Sequence, residues 1–218
     1  MVIITGLGRC GTSFLIRYLK ECGVSIGKNV HWHDEVNAGY ELSTFYSPVH
    51  DVYDRYCKVG KDINLNDECR GEYWKGKTYR EVFDLVDKDD RQGEVKVVKD
   101  PRVTWHPDII SAINEARQGN IKVILCHRKV EDVIASRERL SARYGDPKPR
   151  KVIDEYHVDF SRFYTRLLED NIIHRILFYP NFVDQFLHTW CMLESLGIHI
   201  EMRVAKEKWE KLAWNIHN

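Results

Sequence analysis

The sequence predicts an α/β protein in which helices cover a central parallel sheet. Short runs of β-branched residues alternate with longer amphipathic segments along the 218 residues, and strands that alternate with helices in this way form parallel sheets. The first run leads directly into a glycine-rich turn, which is a common junction between a strand and a helix. The length suits a single domain, which we expect to span 1–218.

The N-terminal elements come first. Residues 2–5 are apolar and mostly β-branched, which predicts a buried strand. Apolar side chains recur at helical spacing over 12–22, and Gly23 follows as a helix stop. Residues 28–60 are expected to form loops and short helices, and we interpret 28–93 as an insertion or lid.

The remaining elements follow in regular alternation. The residues Gly119 and Asn120 end an amphipathic helix before the next β-branched run. The pattern predicts, in chain order, strand 95–98, helix 108–118, strand 121–126, helix 130–143, helix 151–170, strand 172–179, helix 181–196 and helix 204–217. This order favours helices on both faces of the sheet.

Charge and composition argue against several classes of function. Lys+Arg and Asp+Glu each number 33, so we expect neither nucleic acid nor an anionic membrane as a partner. No apolar run approaches the roughly 20 residues of a membrane span, and no signal peptide precedes the first strand, so a cytoplasmic protein is expected. The 6 cysteines form no CxxC pair and are expected to be reduced thiols without a metal. The oligomeric state stays open, a homodimer being one alternative.

A candidate anion-binding loop follows the first strand. In Gly6–Ser13, glycines allow the backbone to wrap around an anion, and successive N–H groups with a helix N-terminus would bind it. The spacing is that of a nucleotide-binding phosphate loop, but Thr12 stands where a nucleoside triphosphatase needs lysine. Its absence argues against an ATPase or kinase, because that lysine neutralises the transferred phosphate. Arg9 supplies a cation from within the turn and can bind two oxygens at once.

A second candidate anion site follows the strand predicted over 121–126. Arg128 lies just past the carboxyl end of that strand, which is where ligands bind in open α/β sheets. Ser136 falls about two turns into the following helix, and the long side chain of Arg128 can fold back toward its hydroxyl. An arginine and a serine that converge in this way suit a phosphate.

These residues resemble the motifs of sulfotransferases that use PAPS (3′-phosphoadenosine 5′-phosphosulfate). The segment Arg9–Ser13 is similar to their 5′-phosphosulfate loop, and Arg128 with Ser136 is similar to their 3′-phosphate motif. Three further segments resemble a strand-end motif at the transfer site, a tyrosine-containing segment that meets the adenine, and an early loop of bacterial members: 97–102, 177–182 and 37–41. The resemblance covers the sheet elements of about two thirds of the chain and is closest to compact bacterial or phage-type enzymes.

The resemblance implies a P-loop-type three-layer sandwich with a central parallel sheet flanked by helices. It implies that PAPS is the donor, that PAP (3′-phosphoadenosine 5′-phosphate) is released, and that no metal is needed. The implied donor-binding residues are Gly8, Arg9, Cys10, Gly11, Thr12, Ser13, Arg128, Ser136 and Tyr179. Arg9 and Lys99 would stabilise charge on the transferred group. Separately from the resemblance, the aromatic residues of 31–56 with Tyr73, Trp74 and Tyr79 favour a carbohydrate or small-metabolite hydroxyl as the acceptor, on the side of the insertion.

The catalytic base is not carried over by the resemblance. Many members place a histidine two residues after the strand-end lysine, but Pro101 occupies that position here. Many also carry lysine where this chain has Arg9. A base must take the proton of the acceptor hydroxyl, and the candidates are Asp100, Glu41, His33 and His31.

Two other functions stay open. A P-loop kinase or other nucleotide phosphotransferase would need Mg²⁺ and a substitute for the missing loop lysine. A non-catalytic PAP- or PAPS-binding protein would bind PAP tightly without transferring a sulfuryl group. The absence of a histidine after Lys99 motivates this last alternative.

Overall fold

The fold is built around four parallel strands. The computed structural model describes residues 1–26, 30–31, 41–42, 96–105, 107–144 and 153–217. Its strands are β1 Val2–Gly6, β2 Val30–His31, β3 Glu41–Leu42, β4 Val97–Lys99, β5 Lys122–His127 and β6 Ile173–Phe178. Strands β2 and β3 pair with each other as a separate antiparallel sheet, while the other four form one parallel sheet.

Helices connect and follow the strands. They are α1 Thr12–Glu21, α2 Pro107–Ala116, α3 Val130–Tyr144, α4 Ile153–Glu169, α5 Phe186–Ser195 and α6 Met202–His217. Two short 3₁₀ turns, Pro101–Trp105 and Asn181–Asp184, follow strands β4 and β6. Within the described ranges, no helix is both long and apolar enough to cross a membrane.

The order of the parallel strands is β4-β1-β5-β6, so β1 lies in the interior of the sheet. The chain moves from β1 to β4 on one side of it, and then returns past β1 to β5 on the other side. In register, Ile4 is paired with Lys99 and Gly6 with Cys126. In open α/β sheets such a reversal of direction marks the crevice at the carboxyl ends of the strands where ligands bind, and here it falls between β1 and β5.

Two hydrophobic clusters lie on the two faces of the sheet. Ile3 and Val98 pack in one cluster with Phe163 of α4, whereas Ile4 packs in the other with Trp209 of α6. Successive strand residues point to opposite faces, so adjacent residues of β1 supply both clusters. A strand that is buried on both faces has a continuous apolar sequence, which explains the uninterrupted run at the N-terminus.

The predicted α/β class with a parallel sheet is confirmed, and most predicted elements coincide with observed ones. Two predictions were wrong. The single helix expected over 181–196 is divided into a 3₁₀ turn and helix α5, because Gln185 has a non-helical conformation (φ −112°, ψ 53°). The loops expected in 28–60 include the hairpin of β2 and β3. The rest of the predicted insertion 28–93 lies outside the described residues.

Candidate functional site

The loop between β1 and α1 turns through left-handed backbone conformations. Gly8 (φ 77°) and its neighbour Arg9 (φ 58°) have left-handed φ values, and so does Gly11 (φ 84°). A left-handed residue that follows a right-handed one can direct consecutive N–H groups toward one side of the chain, where they can bind an anion. Helix α1 begins directly afterwards at Thr12 and has no acidic residue in its first turn, so its N–H groups remain suited to a negative charge.

Two glycines of this loop have no room for a side chain. A Cβ atom on Gly6 would lie closer than 3.0 Å to the carbonyl oxygen of Cys126 on the neighbouring strand. A Cβ atom on Gly11 would lie equally close to the ring of Tyr179 and at 3.0 Å from that of Phe182. The loop is therefore packed against both the carboxyl end of β5 and the segment that follows β6.

The interior of the loop is filled by its own side chains. Cys10 is fully buried and its Sγ donates to the carbonyl oxygen of Gly8 at 3.1 Å, while Thr12 is 4% exposed. These two residues were predicted to bind the donor. In the structure the Cys10 thiol is bonded within the turn and both side chains are buried, so contact with an anion would come from their backbone N–H groups.

The two anion motifs predicted from the sequence meet in space. The Nε atom of Arg9 donates to Ser136 Oγ at 3.1 Å, across 127 positions of the chain. Nη1 of Arg128 donates to the carbonyl oxygen of Arg9 at 3.3 Å. The sequence suggested that Arg128 folds back onto Ser136, but the hydrogen bond observed on Ser136 comes from Arg9 instead.

Arg128 is held from several directions. Its Nε is 3.8 Å from Asp132 Oδ2, one helical turn further along α3. That Nε atom is buried and makes no hydrogen bond in the described structure. The guanidinium carbon lies 5.1 Å from the centre of the Tyr179 ring, within the range of a cation–π interaction. Sequence reasoning missed Asp132, although the spacing of four residues is the signal for a helical ion pair.

Lys99 lies at the end of β4, next to the same loop. Its Nζ donates to Ser13 Oγ at 3.4 Å, and the residue is only 3% exposed. A buried ammonium group requires polar partners, and the Ser13 hydroxyl is one of those that Lys99 has here. A second cation is thus brought to the first turn of α1, although Thr12 replaces the lysine usual at that place.

Asp100 continues the chain behind the loop. It is fully buried, and its N–H donates to the carbonyl oxygen of Ile4 at 3.1 Å, which extends the pairing of β4 with β1. The 3₁₀ turn begins at the next residue, Pro101. It is fastened to β1 by a buried hydrogen bond of 2.8 Å between the hydroxyls of Thr104 and Thr5.

Two of the other base candidates, His31 and Glu41, lie on strands β2 and β3. Glu41 on β3 is paired in register with His31 on β2. Strand β3 lies beside β4, the strand that ends in Lys99. His33 lies outside the described residues. The backbone therefore brings Glu41 and His31, like Asp100, to the edge of the sheet at which β4 ends in the buried lysine.

Tyr179 lies directly after β6, and its N–H donates to the carbonyl oxygen of His127 at 2.7 Å. Its ring packs against Phe182, with ring centres 5.9 Å apart. Together with the contacts to Gly11 and Arg128, this puts Tyr179 between the two anion motifs. The sequence associated it with adenine, and the observed contacts are with the motifs themselves.

The cysteines of the site are buried thiols. Burial raises the pKa of the Cys126 thiol, and nearby Cys10 raises it further, so Cys126 is a neutral packing residue at neutral pH. All four described cysteines (Cys10, Cys22, Cys126 and Cys191) are thiols. Within the described ranges, no group of three or more metal-ligating side chains has the geometry to hold an ion.

Comparison with protein-family models and with curated proteins finds no match for this chain. Function is therefore inferred from the residues around the crevice. The glycine-rich turn at the N-terminus of α1 carries one cation, Arg9, and two more, Lys99 and Arg128, are hydrogen-bonded to Ser13 and to the Arg9 carbonyl. This arrangement is suited to an elongated ligand with more than one anionic group.

Proposed function

We propose that this protein is a sulfotransferase that moves a sulfuryl group from PAPS to an acceptor hydroxyl, on a P-loop-type three-layer fold. The observation that carries the proposal is the meeting of Arg9, Ser136 and Arg128 at one crevice. A nucleotide with anionic groups at both the 5′ and 3′ positions fits two anion motifs that adjoin. A nucleotide with one phosphate chain would use only the glycine-rich loop.

In this proposal the donor binds across both motifs. The backbone of the loop and Arg9 bind the 5′-phosphosulfate, and Arg128 with Ser136 binds the 3′-phosphate. Lys99 is buried and held at Ser13, so it can meet charge near the first turn of α1 without reorganising. Fixed cations of this kind stabilise charge that develops on the leaving phosphate.

The transfer itself is a displacement at sulfur. The acceptor oxygen forms a bond to sulfur, the bond from sulfur to the bridging oxygen of the 5′-phosphate breaks, and PAP leaves with the bonding electron pair. A protein base takes the hydroxyl proton. Among the candidates, the complete burial of Asp100 argues against direct contact with an acceptor. The position of Glu41 opposite His31, on the strand beside β4, favours that pair.

Calorimetry with PAP and ADP tests the donor assignment. Both ligands are adenosine nucleotides with two phosphates, so they differ chiefly in where the second phosphate is attached. We expect wild type to bind PAP more tightly than ADP. Arg128→Ala should weaken the binding of PAP by about ten- to a hundredfold, which corresponds to the loss of a hydrogen bond to a charged group, and should have little effect on the binding of ADP. Arg9→Ala should weaken the binding of both nucleotides.

Arg17→Ala is the matched control. Arg17 lies on α1, where it is exposed and pairs with Glu21 at 3.2 Å, so its removal deletes a charge without touching the residues around the crevice. A wild type that prefers ADP would contradict the donor assignment, and so would a PAP preference that survives in Arg128→Ala.

Transfer is tested separately with labelled PAPS and a panel of carbohydrate, phenol and small-metabolite hydroxyls. Labelled product together with released PAP is expected. Glu41→Gln, His31→Gln, His33→Gln and Asp100→Asn then identify the base, whose loss should lower kcat by about a hundredfold or more while PAP affinity stays unchanged. Tight PAP binding without transfer to any acceptor would favour a non-catalytic binder. Turnover of ATP with Mg²⁺ in the absence of PAP binding would favour a phosphotransferase.

A further inference from the structure

We infer that Tyr179 determines the preference for a 3′-phosphorylated nucleotide by holding the guanidinium of Arg128, and does so as a positioning residue. This rests on the proposed function, since it assigns to Arg128 the binding of the 3′-phosphate. The guanidinium carbon of Arg128 lies 5.1 Å from the centre of the Tyr179 ring. The inference differs from an adenine contact, which would give Tyr179 no part in distinguishing the position of a phosphate.

The surroundings of Arg128 make the ring its main support. The Arg9 carbonyl accepts one N–H at 3.3 Å. The Asp132 carboxylate is 3.8 Å from Nε and its side chain is 51% exposed, so this ion pair contributes little. An aromatic ring attracts a guanidinium through its face, and the N–H groups that remain lie in the guanidinium plane, where the ring does not block the approach of phosphate oxygens.

The ring is itself fixed on its other sides. It lies against Gly11 of the loop and against Phe182, which is 2% exposed. The backbone N–H of Tyr179 is bonded to the carbonyl of His127, the residue before Arg128. One rigid side chain therefore contacts both the 5′ loop and the arginine, and it orients the guanidinium relative to that loop. This orientation matters only for a ligand that reaches both motifs.

The test compares PAP and ADP affinities in variants of Tyr179. In Tyr179→Leu the preference for PAP over ADP should fall by about three- to thirtyfold, the range expected for a lost cation–π interaction, because ADP does not use Arg128. Tyr179→Phe keeps the ring and should retain the wild-type preference. If Tyr179 contacts adenine instead, Tyr179→Leu weakens the binding of PAP and ADP equally. The preference for PAP over ADP is then unchanged, which would overturn the inference.

Two controls isolate the effect. Phe178→Leu removes an aromatic ring that is 56% exposed at the neighbouring position of β6, and should leave the preference as it is. In an Arg128→Ala background, Tyr179→Leu should have no further effect on the preference, since residues that act through one another are not additive. Additive effects in this cycle would contradict a role through Arg128.

The outcomes also separate the inference from the proposed function. A wild type without any preference for PAP contradicts the proposed function and the inference together. A wild type with the preference, and a Tyr179→Leu variant that keeps it, contradicts the inference alone. Should the leucine variant fail to fold, Tyr179→Met fills the space with a flexible apolar chain that has no π face, and the same loss of preference is expected.

Discussion

The substitution Gly11→Ala probes the contact on which the site depends. Gly11 is left-handed (φ 84°), and a Cβ atom there would lie closer than 3.0 Å to the Tyr179 ring and at 3.0 Å from Phe182. Gly23 offers a matched control, because its φ of 79° is nearly the same and nothing lies within 4 Å of its Cβ position. Both variants have the same backbone strain, and only one of them meets a neighbour.

The difference between the two variants measures the steric contact. An alanine in the left-handed region costs about 1–2 kcal/mol, which is partly offset because alanine restricts the unfolded chain. Gly23→Ala should therefore lower the free energy of unfolding by about 1 kcal/mol. Gly11→Ala adds the cost of overpacking a filled site, typically about 1–3 kcal/mol. Its total should be about 2–4 kcal/mol.

Urea unfolding followed by tryptophan fluorescence measures both values, provided that the m-values agree. A cost for Gly11→Ala within about 0.5 kcal/mol of that for Gly23→Ala would mean that the ring does not lie against the loop. A double variant adds a second check. In Tyr179→Ala the ring is gone, so adding Gly11→Ala should cost less than it does in wild type.

Three further predictions concern the surroundings of the site. Gly6→Ala should cost more than about 3 kcal/mol or prevent folding, as measured by the yield and urea unfolding of the purified variant, because its Cβ meets the backbone oxygen of Cys126, which cannot move without breaking the sheet. Trp209→Phe should lower the free energy of unfolding by about 1–3 kcal/mol, since the indole Nε1 donates to a buried carbonyl at 2.8 Å. Burial, with a contribution from His157, lowers the pKa of His127 below 6.5. The unfolded chain then binds more protons just below that pH, so stability should be complete above pH 6.5 and decrease as the pH falls through the folded pKa. His127→Gln should flatten this part of a stability–pH profile; an unchanged slope would assign it to other groups.

Much of the fold could be predicted from the sequence because its signals are local. Buried parallel strands are continuous apolar runs, and β1, β5 and β6 were expected within about two residues of their observed ends. Strands of two residues carry no periodic pattern, so the pairing of Val30–His31 with Glu41–Leu42 is not predicted from the sequence. The 3₁₀ turn Asn181–Asp184 was merged with a helix because a break at one residue, Gln185, leaves the apolar pattern nearly intact.

The candidate site could be predicted only as separate motifs. The glycine-rich loop and the arginine after a strand each have a local signal. The partners of their side chains do not, because they depend on tertiary placement. The sequence gives no hint that Arg9 reaches Ser136 or that the Tyr179 ring lies between Gly11 and Arg128. Those contacts follow from how the strands are aligned.

The alignment of β1 with β5 explains why the motifs adjoin. Gly6 and Cys126 are paired in register on neighbouring strands. Arg9 follows Gly6 by three residues and Arg128 follows Cys126 by two, so the two arginines lie just beyond the same end of the sheet. Slipping this register by two residues would preserve the inward and outward alternation of side chains. It would nevertheless move the motifs about 7 Å apart, more than twice the length of a hydrogen bond. The close approach of Gly6 to the backbone of Cys126 opposes such a slip, since it is possible only where a residue without a side chain faces that carbonyl. A glycine that touches no ligand in the proposal therefore fixes the distance between the two anion motifs.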